Sequence, residues 1–238
     1  MPEKKIKSVL AVGCHPDDLE IGCGGTLARY HDAGARVTMC LIANGNRGHA
    51  VIPPAELRVI RRDEAKAAAA IIGAELVLID VADLEVDSHD QAAVIRLVEV
   101  IRDCRPDVII THSPDDYMKD HVETSNLTFD ASFSASVPHY ASGPAVPIVP
   151  LYYMDTLAGV GFLPEEYVDI TAAAERKIAA LEQHDSQLRW MRDHDGIDFA
   201  DFVRVCARFR GLQCGCTFAE GFRLCRAWPR LPASRLLP

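Results

Sequence analysis

No stretch of the 238 residues approaches the roughly 20 consecutive apolar residues of a membrane helix, and the opening MPEKK lacks the apolar core of a signal peptide. The expectation is a cytoplasmic chain with no membrane partner. Positive charge is scarce too. Twenty-five Lys and Arg stand against 34 Asp and Glu, a formal net charge of -9, which disfavours nucleic acid or an anionic bilayer as partner and favours a small neutral molecule. The eight cysteines (Cys14, Cys23, Cys40, Cys104, Cys206, Cys214, Cys216 and Cys225) form no paired CxxC clusters, so a structural zinc site is not indicated and reduced thiols are expected. Cys214 and Cys216 read as part of a strand segment. Repeats, low-complexity segments and linkers are absent as well, and with 49% apolar residues to build a core, 1–238 reads as one domain.

What is present is an alternation of short apolar runs with helical patterns. Residues 9–12, 36–43, 76–79 and 107–111 read as strands, and 22–31, 55–72 and 91–104 as the helices between them, with Gly34 closing the first. Four strand-then-helix units imply an α/β fold with a Rossmann-like, mostly parallel sheet and helices on both faces. The GCGGT at 22–26 is not GxGxxG and does not directly follow the strand, so it reads as tight helix-to-sheet packing and not as a dinucleotide site. Beyond the fourth strand the expectations are a helix over 123–136, a Pro- and Gly-rich loop over 137–150, short strands at 148–154 and 167–170, and a helix over 199–210. Asp169 or Thr171 is expected to cap the helix carrying Lys177, and the HDSQ at 184–187 to be a structural helix end.

The first apolar run stops at Gly13 and gives way to Cys14, His15, Pro16, Asp17 and Asp18. Ligands of open α/β sheets bind outside the carboxyl ends of the strands, where these residues would stand. Imidazole and carboxylate are ordinary ligands of zinc or a similar divalent ion. Of two adjacent carboxylates, one can bind the ion while the other faces a water as general base. The same residues also read as a turn or helix cap ahead of Leu19, with His15 a satisfied strand-end residue. The fourth strand ends in a second polar cluster, Thr111, His112, Ser113 and the residues up to Asp120 and His121. Two such clusters on one sheet edge favour a composed site over two independent turns. The loop at 44–54, including Asn44, can line the pocket, and His49 in it reads as exposed. His139 and Tyr140 stand in a loop that could cover the pocket or form an oligomer contact. On the residues alone Arg61 reads as part of a solvated helix face, and Asp83 as a turn cap.

Residues 11–18 (AVGCHPDD) and 21–28 (IGCGGTLA) resemble the opening of the PIG-L/LmbE-like zinc-dependent de-N-acetylases, and family-like segments recur over about 7–225. The resemblance implies one zinc per chain, or another divalent ion, held by His15, Asp18 and His121. Asp17 is then the base that activates the attacking water, and the substrate an N-acetylglucosamine-type sugar or glycoconjugate. It further implies Arg61 (with Glu64 in an Arg-x-x-Glu pattern) and Asp83, a hydroxyl acceptor, at the substrate, and a homo-oligomer; Asn44 and His139, from their loops, complete the expected substrate contacts. Many relatives carry a histidine three residues before the last ligand, oriented by the following Asp, to stabilise the oxyanion. This chain has Met118 there, and a thioether cannot donate a hydrogen bond. His112, at the end of its strand, is the expected substitute, with Asp120 counted among the catalytic groups. An amidase acting on another small amide, such as a thiol conjugate, and a non-catalytic sugar-binding relative are the alternatives.

Overall fold

In a computed structural model, residues 5–232 and 234–238 are described; the start of the chain that lacks a signal-peptide core lies partly outside them, at 1–4. Strand β1 (Ser8–Gly13) leads to α1 (Asp18–Asp32), β2 (Arg36–Ala43) to α2 (Pro54–Ile72), β3 (Glu75–Val81) to α3 (Gln91–Cys104), and β4 (Val108–Thr111) to α4 (Lys119–Ser134). Then come β5 (Leu151–Met154), β6 (Glu166–Asp169), α5 (Ala174–Leu181), α6 (Asp185–Asp195), α7 (Phe199–Cys214) and β7 (Ala219–Leu224). The seven strands form one sheet in the order β3-β2-β1-β4-β5-β7-β6. The first five are parallel, as the expected architecture requires, and β7 runs antiparallel to both of its neighbours.

Alternation along β1 shows how the sheet is buried on both faces. Val9 and Ala11 pack under α1, α2 and α5, whereas Leu10 and Val12 pack under α3 and α4. Each such aliphatic side chain contributes about 1.5–3 kcal/mol on burial, which explains why the central strands read as unbroken apolar runs. The glycines of α1 serve close packing, as expected. A Cβ on Gly25 would come within 2.8 Å of Ile170, and one on Gly22 within 2.6 Å of Met154 Sδ.

Several expectations are corrected. Helix α1 begins four residues earlier than its apolar pattern suggests, because Asp17 O accepts from Ile21 N and starts the ladder at once. Helix α4 begins at Lys119 and not at 123, since Met118 O accepts from both His121 N and Val122 N. Asp120 and His121 therefore lie in a helical first turn. Cys214 ends α7 and Cys216 follows the left-handed Gly215, so this pair is a helix terminus and not a strand. All eight cysteines are free. Asp169 caps only a turn, through Thr171 N, and α5 starts at Ala174. The tail beyond residue 225 packs back on the domain, with Leu236 and Leu237 in the core and Leu236 O accepting from Tyr30 Oη at 2.9 Å. Among the described residues no helix is long and apolar enough to cross a membrane.

Candidate metal centre and active site

Strands β1 and β4 are parallel neighbours, with Val12 opposite Thr111, and the strand order reverses between them. Chain leaving their carboxyl ends diverges and opens a crevice, the switch point at which α/β folds place ligands. Past β1 come Cys14 to Asp18; past β4 come His112 and the first turn of α4. Both expected polar clusters thus converge on one site.

Asp18 is its centre. Its Oδ2 accepts from His15 N at 2.6 Å and lies 3.4 Å from His15 Nδ1, 3.3 Å from His121 Nε2 and 3.3 Å from His112 Nε2. Ligand atoms at zinc-ligand distances in a tetrahedron stand about 3.3–3.4 Å apart, so these spacings suit a shared divalent ion. The partners of the outer ring nitrogens choose between the histidines. His121 Nδ1 faces Asp116 Oδ2 at 3.1 Å, and its Nε2 is buried without a hydrogen bond among the described residues. His15 Nε2 faces Asp120 Oδ2 at 3.3 Å, leaving Nδ1 toward Asp18. In each case a carboxylate holds one N–H and turns the other lone pair inward, as metal-binding histidines require. His112 differs, because its Nε2 accepts from Cys14 N at 2.9 Å, so that lone pair is already engaged. Cys14 also stands close to His15 and Asp18, but burial pushes its thiol up and keeps it protonated. Ligand atoms that all lie within 4.8 Å of one another form two groups among the described residues, Cys14, His15 and Asp18, and Asp18, His112 and His121, which share Asp18; within them, His15, Asp18 and His121 are the residues whose outer partners suit ligation of a divalent ion.

The electrostatics follow from burial set against these pairings. Burial opposes charge on Asp18, yet His121 holds its carboxyl well below the usual range. Burial likewise opposes charge on His121, but Asp18 and Asp116 outweigh it and raise the imidazole to about 10. His112 is pushed down to about 4 by burial and the neighbouring His121, and so is neutral.

Asp17 points elsewhere. Its backbone is left-handed, with φ at 104°, and its Oδ2 accepts from Arg61 Nη2 at 3.0 Å, while the same guanidinium nitrogen also holds Pro16 O. Both side chains are nearly fully buried. Burial, opposed by Arg61, pushes the Asp17 carboxyl up to about 6. Arg61 therefore grips the strand-end turn, where resemblance had it reaching for substrate, although it also lines the cavity. Behind it, His184 is buried with Nε2 3.4 Å from Glu20 Oε1, and Glu64 accepts from Ser186 N and Oγ at the start of α6. The segment taken as a plain helix end thus anchors α6 and brings Gln187 and Met191 to the cavity wall.

The cavity over this centre has a volume of about 340 Å³ and is lined by His15, Asp17, Asp18, His112, Met118 and His121 together with two further sets of residues. One set is polar: Arg47, Gly48, Arg61, Asp83 and Gln187. Asp83 ties it together, accepting from Gly45 N at 2.7 Å and Arg47 N at 2.9 Å. The other set is apolar and contains Ile21, Met154, Leu157, Met191 and Phe199. Two expected substrate contacts are not in the wall. Asn44 spends its amide on Asp80 and its oxygen on Asn46 N, which shapes the loop, and His139 is exposed on the turn after α4. Asp120 serves His15 and Leu84 N and not an oxyanion-binding histidine. Asp116, the partner of His121 Nδ1, is not among the residues singled out from the sequence; its signal was a carboxylate five residues before that histidine.

Two histidines and an aspartate that could hold a divalent ion thus stand at the switch point of a parallel sheet, with a second buried aspartate beside them, the arrangement of an α/β enzyme site. Residues 10–132 match the family described as GlcNAc-PI de-N-acetylase, PIG-L, and the chain belongs to that family. It is 28% identical over 235 residues to the diacetylchitobiose deacetylase of Thermococcus kodakarensis, covering 93% of this chain and 84% of the relative. The N,N'-diacetylchitobiose deacetylase of Pyrococcus horikoshii superposes with a TM-score of 0.80 at 26% identity, over 92% of this chain and 84% of the other. The 4-carboxy-2-hydroxymuconate hydratase of Pseudomonas putida superposes with a TM-score of 0.83 at 25% identity, over 97% of this chain and all of the other.

Proposed function

We propose that this de-N-acetylase family member is a zinc-dependent hydrolase that removes an N-acetyl group from an N-acetylglucosamine-type sugar or glycoconjugate in the cytoplasm. The observation that supports it most is the divergence of Asp17 and Asp18, one toward the histidines and the other toward Arg61 with its carboxyl near 6. His15, Asp18 and His121 hold the ion, which when bound supplies a Lewis acid for the amide carbonyl and acidifies water. Asp116 and Asp120 keep the two imidazoles in the tautomers that ligation needs. Asp17 takes a proton from the attacking water as the C–O bond forms and returns it to the nitrogen as the C–N bond breaks, so acetate and the free amine depart. A carboxyl near 6 suits that double duty at neutral pH. Arg61 keeps Asp17 in place. His112, neutral and with Nε2 accepting from Cys14 N, offers Nδ1–H as its remaining donor in the region where Met118 offers none. Arg47, Asp83 and Gln187 supply the polar wall for sugar hydroxyls.

The full-length similarity to a hydratase favours one second reading, addition of water to a carboxylated enol by the same base. One experiment separates the two. Zinc-loaded wild type and Asp17→Asn are assayed for acetate release from N-acetylglucosamine and diacetylchitobiose, with zinc content measured on the same samples. Release by wild type alone, at equal zinc, supports the hydrolase. Equal release by Asp17→Asn refutes the base, and no release by either protein leaves the hydratase reading.

A further inference from the structure

The apolar half of the cavity does not end at its own wall. A second cavity of about 190 Å³ adjoins it, and Ile21, Gly22 and Asp155 line both. Its other walls include Ala158, Phe202, Val203, Val205, Cys206 and Phe209, mostly from α7. The charged groups around it are already paired. Lys177 Nζ donates to Glu220 and to Ile21 O, and Arg210 Nε donates to Asp155 Oδ2 at 2.6 Å. Asp155 Oδ1, buried without a hydrogen bond among the described residues, is the polar atom left at the neck. Gly22 presents no side chain at the junction, and Met154, whose sulfur would lie 2.6 Å from a Cβ there, is the flexible side chain that faces it.

The direction of the substrate follows from Asp17. Because that carboxyl must reach the leaving nitrogen, the sugar lies on the side of Arg61, Arg47, Asp83 and Gln187. The acyl substituent then points the other way, toward Ile21, Leu157, Met191 and Phe199, which pack as one cluster with α7. An acetyl methyl group fills little of that half and none of the second cavity. Resting on the amide-hydrolase reading, we infer that the protein takes N-acylated amino sugars with acyl chains longer than acetyl, the chain entering the cavity beneath α7 as the flexible Met154 side chain turns away from Gly22.

The test is a series of N-acetyl-, N-butyryl- and N-hexanoylglucosamine, with release of free glucosamine measured for zinc-loaded wild type and Cys206→Phe. Each methylene buried should raise kcat/KM by about fourfold, so butyryl should exceed acetyl by about 15-fold. Filling the second cavity in Cys206→Phe should cut the hexanoyl-to-acetyl ratio at least by about tenfold, on the same burial scale. Hydrolysis of the acetyl compound with equal or slower turnover of the longer ones overturns this inference and leaves the deacetylase reading standing. A chain-length gain that Cys206→Phe does not reduce, in a variant with wild-type circular dichroism and melting, also overturns it. Failure to cleave any of the three amides removes the hydrolase reading and the inference together.

Discussion

Arg61→Gln is the substitution that best separates what resemblance implies from what the geometry shows. Arg61 Nη2 lies 3.0 Å from Asp17 Oδ2, with both side chains almost wholly out of water. At an effective dielectric constant of about 20, opposite charges at that distance attract by about 5 kcal/mol, and removing one partner of a buried pair costs about 3–5 kcal/mol. One pKa unit is about 1.4 kcal/mol, so loss of the guanidinium should lift Asp17 by at least about two units, from about 6 to about 8. The sign is fixed by chemistry: the base works only when ionised, so activity falls as pH drops through its pKa, and raising that pKa moves the acid limb upward. At pH 7 the ionised fraction would fall about tenfold, and kcat/KM with it, with recovery at pH 9. The assay is the pH profile of acetate release from zinc-loaded enzyme. An acid limb that stays where it was, with KM raised instead, would refute the clamp and return Arg61 to the substrate.

The ligand set and the packing can be tested in parallel. Asp116→Asn removes the carboxylate that holds His121 Nδ1, and zinc affinity measured by chelator competition should fall by about 10–100-fold; unchanged affinity would mean His121 is not a ligand. Zinc uptake at pH 7 should release at least one proton per chain, because Asp18 and Asp116, against the pull of burial, keep His121 protonated up to about 10. Calorimetry in buffers of different ionisation enthalpy reads that number, and none released would contradict the pairing. Gly25→Ala puts a methyl group 2.8 Å from Ile170, which should cost about 1–3 kcal/mol and lower the urea midpoint. An unshifted midpoint would show that α1 can move away.

The parallel half of the sheet was readable because it is buried on both faces: a run such as VLAV or RVTMCLIA has few other places to go. The polar clusters after β1 and β4 were readable because a polar cluster at a strand's carboxyl end has a defined place in this architecture, whereas His121, in the first turn of α4, was singled out as a ligand only through the family resemblance. Strand β7 was not readable. Its AEGFRL carries a buried Glu220 that bonds Gly25 N, Thr26 N and Lys177, so its polarity is absorbed by partners far away in sequence. The same reason hid the grip of Arg61 on Asp17, 44 residues away, and the anchoring of α6 by Glu64. Spacing reveals which groups share an element; it does not reveal which partner neutralises a buried charge.

The pairing of Asp17 with Asp18 shows how one tight turn produces two different carboxyl groups. Adjacent residues in a helical turn would present their side chains about 100° apart on one helix, within reach of the same counter-charge. Here Asp17 has left-handed backbone, a conformation costing on the order of 1–3 kcal/mol for a residue other than glycine. The cost is offset by fixed bonds on every side: His15 N to Asp18 Oδ2, Ile21 N to Asp17 O, and Arg61 to both Pro16 O and Asp17. The strained residue turns one carboxylate toward the histidines, where His121 holds it ionised, and the other into a buried place beside Arg61, where burial pushes it up to about 6. Two like groups whose surroundings drive their pKa values apart are able to take different roles, and in this chain the backbone of one residue sets those surroundings apart.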